Sequence, residues 1–506
     1  MRNAPNCKNI ESACNLLLLI RVFCIMFKLN LHNHREMCII GTIHDQDLRG
    51  GFTLDITRDV LKGYVTELCG DIKDTYTIDS EQYQHHAIKR GLRNEDGTGV
   101  MAGVTRIGSV QGYYLQDNGR IPIPGKLYYR GIDVEDIIAA HVADSTFGYE
   151  EVSYLLLMGK LPNKQQFDQF NTILSKARTL PPDFTEDMIL KAPSRNVMNK
   201  LARSVLALYS YDDNPDDTSI ENIVRQSIEL IGRFPIIVAN AYAVKRHYYD
   251  GKSLYLHVPK ENLSLSENFL RMVRKDKTYT PEEAHLLDLM LILHAEHGGG
   301  NNSAFACRVL SSTGTDTYSA ISAAVSSLKG PLHGGANAKV MAQFRDVSEH
   351  VKDFNDDDEV RAYLSKVLDG TAGDGARKIY GLGHAVYTLS DPRAVILKRF
   401  ASDMAETKGY TEQFALMETI ERVGVPLIME RKHLPTPICA NVDMYSGLVY
   451  GMLGIPEELY TPLFATARIS GWCAHRIEEV MTCNKIIRPA YRAAFEPQQY
   501  VPIEQR

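Results

Sequence analysis

Four short segments of this chain place reactive side chains where a helical pattern breaks. They are His297 before Gly298-Gly299-Gly300-Asn301, His333 in Leu332-His333-Gly334, His384 in Leu382-Gly383-His384-Ala385-Val386, and Asp443 in Asn441-Val442-Asp443. A lone histidine beside glycine is most often a structural or surface residue, so each segment says little by itself. Three chemistries can be weighed on spacing. Metal binding would draw on His294, His297 and Glu296, but the HExxH spacing is missing and no third ligand is linked by motif, so no metal is expected. Phosphate cradling would draw on the glycines between Gly370 and Gly383. That stretch lacks a third correctly placed glycine, a preceding strand and a Lys-Ser pair, which argues against a dinucleotide. Hydrolysis through a covalent intermediate needs a serine or cysteine beside a base, and no GxSxG is present.

The elements that must hold these residues read as helices. Thr280-Pro281-Glu282-Glu283 is a helix start, with a capping threonine, proline in the first turn and a glutamate to close the box. The helix runs apolar on most faces through Leu293 and ends at Gly298-Gly299-Gly300, which puts His294, Glu296 and His297 at its C-terminal end. A small-residue helix over 319–328 is interrupted by Lys329-Gly330-Pro331-Leu332-His333-Gly334-Gly335, and another begins near Asn337. His333 is thereby expected on a tight turn. Asn355 to Glu359 caps a helix ending near Gly370, a polar helical region follows to about Arg431, Asn441 opens a short helix, and Thr461-Pro462 opens the last long one, which carries Arg468. Residues 58–72 read as amphipathic helix. The exception is 109–130, where Asp117-Asn118-Gly119 marks a hairpin turn and Pro122 and Pro124 are expected to keep the return strand short.

The 506 residues carry a net charge of −6, which gives no global basic field for nucleic acid or an acidic membrane. Nine cysteines, odd in number, irregular in spacing and without CxxC, favour reduced thiols and a cytoplasmic setting. The apolar run near residues 16–27 is split by Arg21, too short and too charged for a membrane span. Residues 1–45 are read as an atypical extension, with Met26 or Met37 as candidate starts, and a targeting signal is the alternative.

Taken together, the strings His294-Ala-Glu-His297-Gly-Gly-Gly-Asn-Asn-Ser303, Lys329-Gly-Pro-Leu-His333-Gly-Gly-Ala-Asn337, Tyr380-Gly-Leu-Gly-His384-Ala-Val-Tyr387 with Asp391-Pro-Arg393, Asn441-Val-Asp443 and Ala467-Arg468 are similar, in order and spacing, to the citrate synthase family over roughly residues 90–490. The resemblance implies an all-α, two-domain fold with a minor β-hairpin. Residues 46–334 and 455–506 would form a large helical domain, and 335–454 a smaller mobile one. It implies condensation of acetyl-CoA with oxaloacetate, then hydrolysis of the citryl thioester. His333 would hold the thioester oxygen, Asp443 take the methyl proton and His384 polarise the ketone. His297, Arg393 and Arg468 would grip the oxaloacetate carboxylates. Arg488, a looser match, would reach the partner subunit's site in a homodimer. Backbone around Ile379, Leu382, Gly383 and Ala385 would meet coenzyme A. No cofactor is implied beyond the co-substrate, and neither nucleic acid nor membrane as a partner. The chain departs from the commoner His-x-Asp-His-Glu pattern at Glu296 and Gly298.

The chemistry suits such residues. A thioester methyl is a weak acid, so its enolate must be stabilised as it forms, and a neutral histidine on a tight turn can donate to that oxyanion. Arginine forks match carboxylates. Arg393 could equally pair with its neighbour Asp391. A 2-methylcitrate synthase using propionyl-CoA is the nearest alternative, and a catalytically silent family member with a binding role is the alternative of another class.

Overall fold

The structure, a computed structural model, describes residues 87–94, 97–116, 119–482 and 485–506, with isolated positions before 87. The expected helix over 58–72 and the extension over 1–45 lie outside the described residues, isolated positions apart. Residues from Glu81 onward form one compact unit.

That unit opens with a small antiparallel sheet, β1 (Gly108–Gln116), β2 (Gly119–Tyr129) and β3 (Ile132–Asp133). The turn residues 117 and 118 are outside the described set, but Gln116 pairs with Gly119 across them, as a two-residue hairpin loop requires. The two-residue β3 adds to the hairpin. One expectation needs correction, because the return strand is long. Pro122 and Pro124 do not shorten it, because the register shifts between Gln111 and Tyr113 and the extra residues of β2 bulge there.

Helices make up the rest: α1 (Val134–Asp144), α2 (Tyr149–Met158), α3 (Lys164–Ala177), α4 (Val197–Leu208), α5 (Ile220–Asp250), α6 (Leu265–Val273), α7 (Pro281–His294), α8 (Asn302–Ser311), α9 (Thr317–Leu328), α10 (Ala336–His350), α11 (Asp357–Asp369), α12 (Pro392–Lys408), α13 (Thr411–Lys432), α14 (Val442–Met452) and α15 (Tyr460–Thr482). The capping box at α7 forms as read, with Thr280 and Glu283 bonding each other's backbone N–H at 3.2 Å. The polar region before Arg431 is two helices, because Gly409, at φ 72°, takes the left-handed exit from α12. α5 is long and apolar enough to cross a membrane, yet most of it is buried within the protein. It packs with α15, α4 and α6, while α10 to α14 pack chiefly on one another. Cys307, Cys439 and Cys473 are free and buried.

Candidate active site

His297, His333, His384 and Asp443 each sit at a helix end or turn that the sequence builds for them. α7 ends at His294, and the chain turns through Gly298 at φ +80°. His297 in that turn is 9% exposed, and its Nε2 has no partner. Between α9 and α10 the chain folds back on itself, with Gly334 N–H donating to Leu328 O at 3.0 Å. A Cβ on Gly334 would lie 2.6 Å from that same oxygen, so only glycine lets the turn close around half-buried His333. The His384 loop is stitched to the start of α14. Gly383 N–H donates to Cys439 O at 2.7 Å, Asn441 N–H to Gly381 O at 2.9 Å, and Asn441 Nδ2 to Gly383 O at 2.9 Å. Asn441 also caps α14 by accepting from Asp443 N–H at 3.0 Å. The sheet props the same loop from outside. Gly125 N–H donates to Ser390 Oγ at 3.1 Å, and a Cβ on Gly112 or Gly125 would collide with the backbone of Val386 or Ser390.

The rings of His297, His384 and Tyr387 form a cluster. His384 stacks on Tyr387 at 4.6 Å, and His297 meets both edge-on, at 5.1 and 5.7 Å. The Nδ1 of His384 accepts from the N–H of Val386 and of Tyr387, each at 3.0 Å. Two donors on Nδ1 leave the proton on Nε2, which is therefore a fixed donor. The Nε2 of His333 lies 3.1 Å from Ser303 Oγ, which also accepts from Trp472 Nε1 at 3.1 Å and lies 2.9 Å from Asn301 Oδ1.

All these histidines are neutral near pH 7. Burial, then the charge of Arg468, pulls His333 down to about 4. Burial, then Arg393, pulls His384 down to about 4. Burial with Arg393 and neighbouring histidines holds His297 well below its ordinary value. The carboxyl of Asp443 moves the other way. Burial raises it to about 7, against the pull of Arg393 and Arg468.

Both arginines are buried. Arg393 pairs with Asp391 through Nε at 3.0 Å and Nη2 at 2.7 Å, leaving Nη1. The pairing weighed from sequence is therefore real, and it sits within charge range of Asp443, His297 and His384. Arg468 donates from Nε to His294 O at 2.6 Å and lies over the Phe464 ring, while Nη1 and Nη2 have no partner. Unpartnered buried guanidinium nitrogens suit an anion that enters later.

Arg488 is not brought to this site. It is exposed in the tail after α15, and among the described residues no bond links it to the others. Of the coenzyme A candidates, Ala385 lines a cavity of about 290 Å³ with His384, Tyr387, Arg93 and Arg120, and its carbonyl accepts from Arg93 Nη1 at 3.2 Å. Ile379 is buried in the core instead, and Leu382 and Gly383 are not among the residues that line the cavity. Sequence reasoning gave no role to Tyr387, Ser303 or His475. The first two stand inside the quoted motifs. His475 stands seven residues after Arg468, two turns along one helix face, a spacing that marks a shared surface.

The family model for the citrate synthase C-terminal domain matches residues 96–490. The chain is 35% identical over 383 residues to a citrate synthase of Deinococcus radiodurans, covering 76% of this chain and 93% of that one. It is 32% identical over 426 residues to a 2-methylcitrate synthase of Corynebacterium glutamicum, covering 83% and 98%. Among solved structures it resembles the ternary complex of carboxymethyl coenzyme A and oxaloacetate with citrate synthase from Thermoplasma acidophilum. The TM-score is 0.68, with 29% identity and coverage of 83% and 99%.

Proposed function

This chain belongs to the citrate synthase family, and from that premise we propose that it condenses acetyl-CoA with oxaloacetate and hydrolyses the citryl thioester to citrate and coenzyme A. One observation carries the reading beyond family membership. Asp443, its carboxyl raised to about 7, lies within charge range of Arg393 and of Arg468, which has two open buried nitrogens, and the same two arginines act on the neutral His384 and His333.

In this reading Asp443 takes a proton from the thioester methyl. A carboxyl raised to about 7 is a stronger base than an ordinary aspartate, and about half of it is ionised at neutral pH. His333 donates to the enolate oxygen as charge develops there. With Nε2 at Ser303, only Nδ1 is left to donate. That requires the serine proton to point at Nε2 and the Asn301 amide to turn its nitrogen toward the serine. His384 Nε2–H polarises the ketone while the enolate carbon attacks it. His297, Arg468 and the Nη1 of Arg393 hold the carboxylates. Water then cleaves the citryl thioester, with no covalent enzyme intermediate. Residues 335–454 close over the cleft to exclude water. The working unit is a homodimer, in which Arg488 of one copy completes the other's site.

The names of two relatives support a second reading, 2-methylcitrate synthesis from propionyl-CoA. Thiol release from acetyl-CoA and propionyl-CoA, with and without oxaloacetate, tests both. Oxaloacetate-dependent release that vanishes in Asp443→Ala supports condensation, and the ratio of the two rates chooses the acyl donor. No release from either thioester would sink both readings in favour of a silent family member.

A further inference from the structure

A buried guanidinium without a counter-ion is costly. Arg393 carries its counter-ion in direct contact, as Asp391. Arg468 makes no ion pair within contact distance among the described residues. Burial pulls its guanidinium down to about 10, and Glu296 is the charge that most holds it up.

Glu296 is itself fully buried and held away from Arg468. Its Oε1 accepts from Gly298 N–H at 2.5 Å and lies 2.9 Å from His475 Nε2, while Oε2 has no partner. The Nδ1 of His475 faces Arg308, 3.1 Å from Nε and 2.7 Å from Nη2. A guanidinium only donates, so Nδ1 bears no proton and His475 gives its Nε2–H to Glu296. Arg308 is pinned in turn by Glu479 at 2.7 Å and by Glu478. The slot is cut for a glutamate. A Cβ on Gly108 would come within 2.9 Å of Glu296 Cγ, and one on Gly471 within 2.4 Å of Oε2.

We propose that Glu296 is a positioning residue that sets the charge of the site: it neutralises Arg468 from a fixed distance, leaving both terminal nitrogens open, and so keeps the site's hold on anions loose enough for a tricarboxylate product to leave. The product part rests on the condensing reading above. Tighter binding of oxaloacetate by itself does not raise turnover. Citrate carries one carboxylate more than oxaloacetate, so it feels any surplus positive charge most.

Two variants test this in opposite directions. Glu296→Gln can keep both hydrogen bonds through its amide oxygen and loses only the charge. Citrate and oxaloacetate are then expected to bind at least about fivefold tighter, with kcat lowered by slow release. His475→Phe removes the side-chain donor of the two that hold the carboxylate, which then swings onto Arg468 and covers its nitrogens. Both anions are expected to bind at least about fivefold weaker. The readouts are citrate titration of the fluorescence of Trp472, the one tryptophan of the chain, and KM for oxaloacetate, with KM for acetyl-CoA within twofold of wild type. Either variant decides alone. Citrate affinity unchanged or weaker in Glu296→Gln overturns the proposal, and so does affinity unchanged or tighter in His475→Phe. A wild type that binds citrate but releases no thiol would overturn the condensing reading and the product-release part with it, while the two titrations would still judge the charge role.

Discussion

The side-chain amide of Asn441 donates to the carbonyl of Gly383 at 2.9 Å, and this contact ties the proposed base to the proposed ketone donor. The same asparagine caps α14 one residue before Val442 and two before Asp443. The histidine loop and the aspartate helix therefore share one anchor, although they are far apart in sequence.

Asn441→Ala removes a helix cap, which costs about 1 kcal/mol. It also frees the His384 loop from Asp443, and misplacement of reacting groups costs far more in rate than in stability. We expect kcat to fall by about 10- to 100-fold. Asp356→Ala is the control. It removes the exposed cap of α11 at a similar stability cost and should leave kcat within about twofold. Thermal melts and steady-state kinetics on both variants check this. Equal kcat losses would show that the anchor is only a cap.

Ser303→Ala removes the partner of His333 Nε2 and of Trp472 Nε1 together. The imidazole then loses what fixes its tautomer, and the donor facing the thioester is present only part of the time. The expected result is a fall in kcat of about tenfold, the size of a lost orienting hydrogen bond, with KM for oxaloacetate nearly unchanged. A matching rise in that KM instead would place Ser303 among the carboxylate contacts.

The helical plan could be read from the sequence because its signals are local. The box at Thr280, the Asp356 cap and the small residues of α9 each announce themselves within one turn. The site residues could be found because they stand where those signals stop. The strand bulge escaped notice because it depends on pairing between β1 and β2, which the prolines alone do not specify. The Glu296–His475–Arg308 chain escaped for the same reason. Its members sit on α8, on α15 and after α7, and burial joins them only in three dimensions.

Asp391→Asn separates the two roles of Arg393. The pair is buried on both sides. Breaking such a pair by removing one partner costs about 3–5 kcal/mol, because the other charge is stranded. The variant should melt well below wild type. Saturating oxaloacetate should recover more of that loss than it adds to wild type, because the ligand supplies the missing anion. Equal ligand-induced shifts in the two proteins would mean that Arg393 does not face the substrate.

The last prediction concerns pH, where Asp443 and the histidines act in opposite senses. With the carboxyl at about 7 and His333 and His384 at about 4, only the aspartate changes charge across neutrality. The rate should rise with pH along a single limb with a midpoint near 7. The folded pKa of Asp443 is raised above its ordinary 3.8, so its stabilising effect is complete below about 4 and is lost as pH climbs through 7. His294, His297, His333 and His384 have lowered folded values. Their contribution is present above 6.5 and is lost as pH falls toward 4. Asp443→Asn removes the cost of ionising the aspartate. It should therefore abolish condensation while raising Tm at pH 8 by several degrees, with the gain shrinking to nothing near pH 4. Paired melts of wild type and variant at those two pH values measure this. A variant less stable than wild type at pH 8 would show that the ionised carboxylate is held by favourable contacts rather than strained by burial.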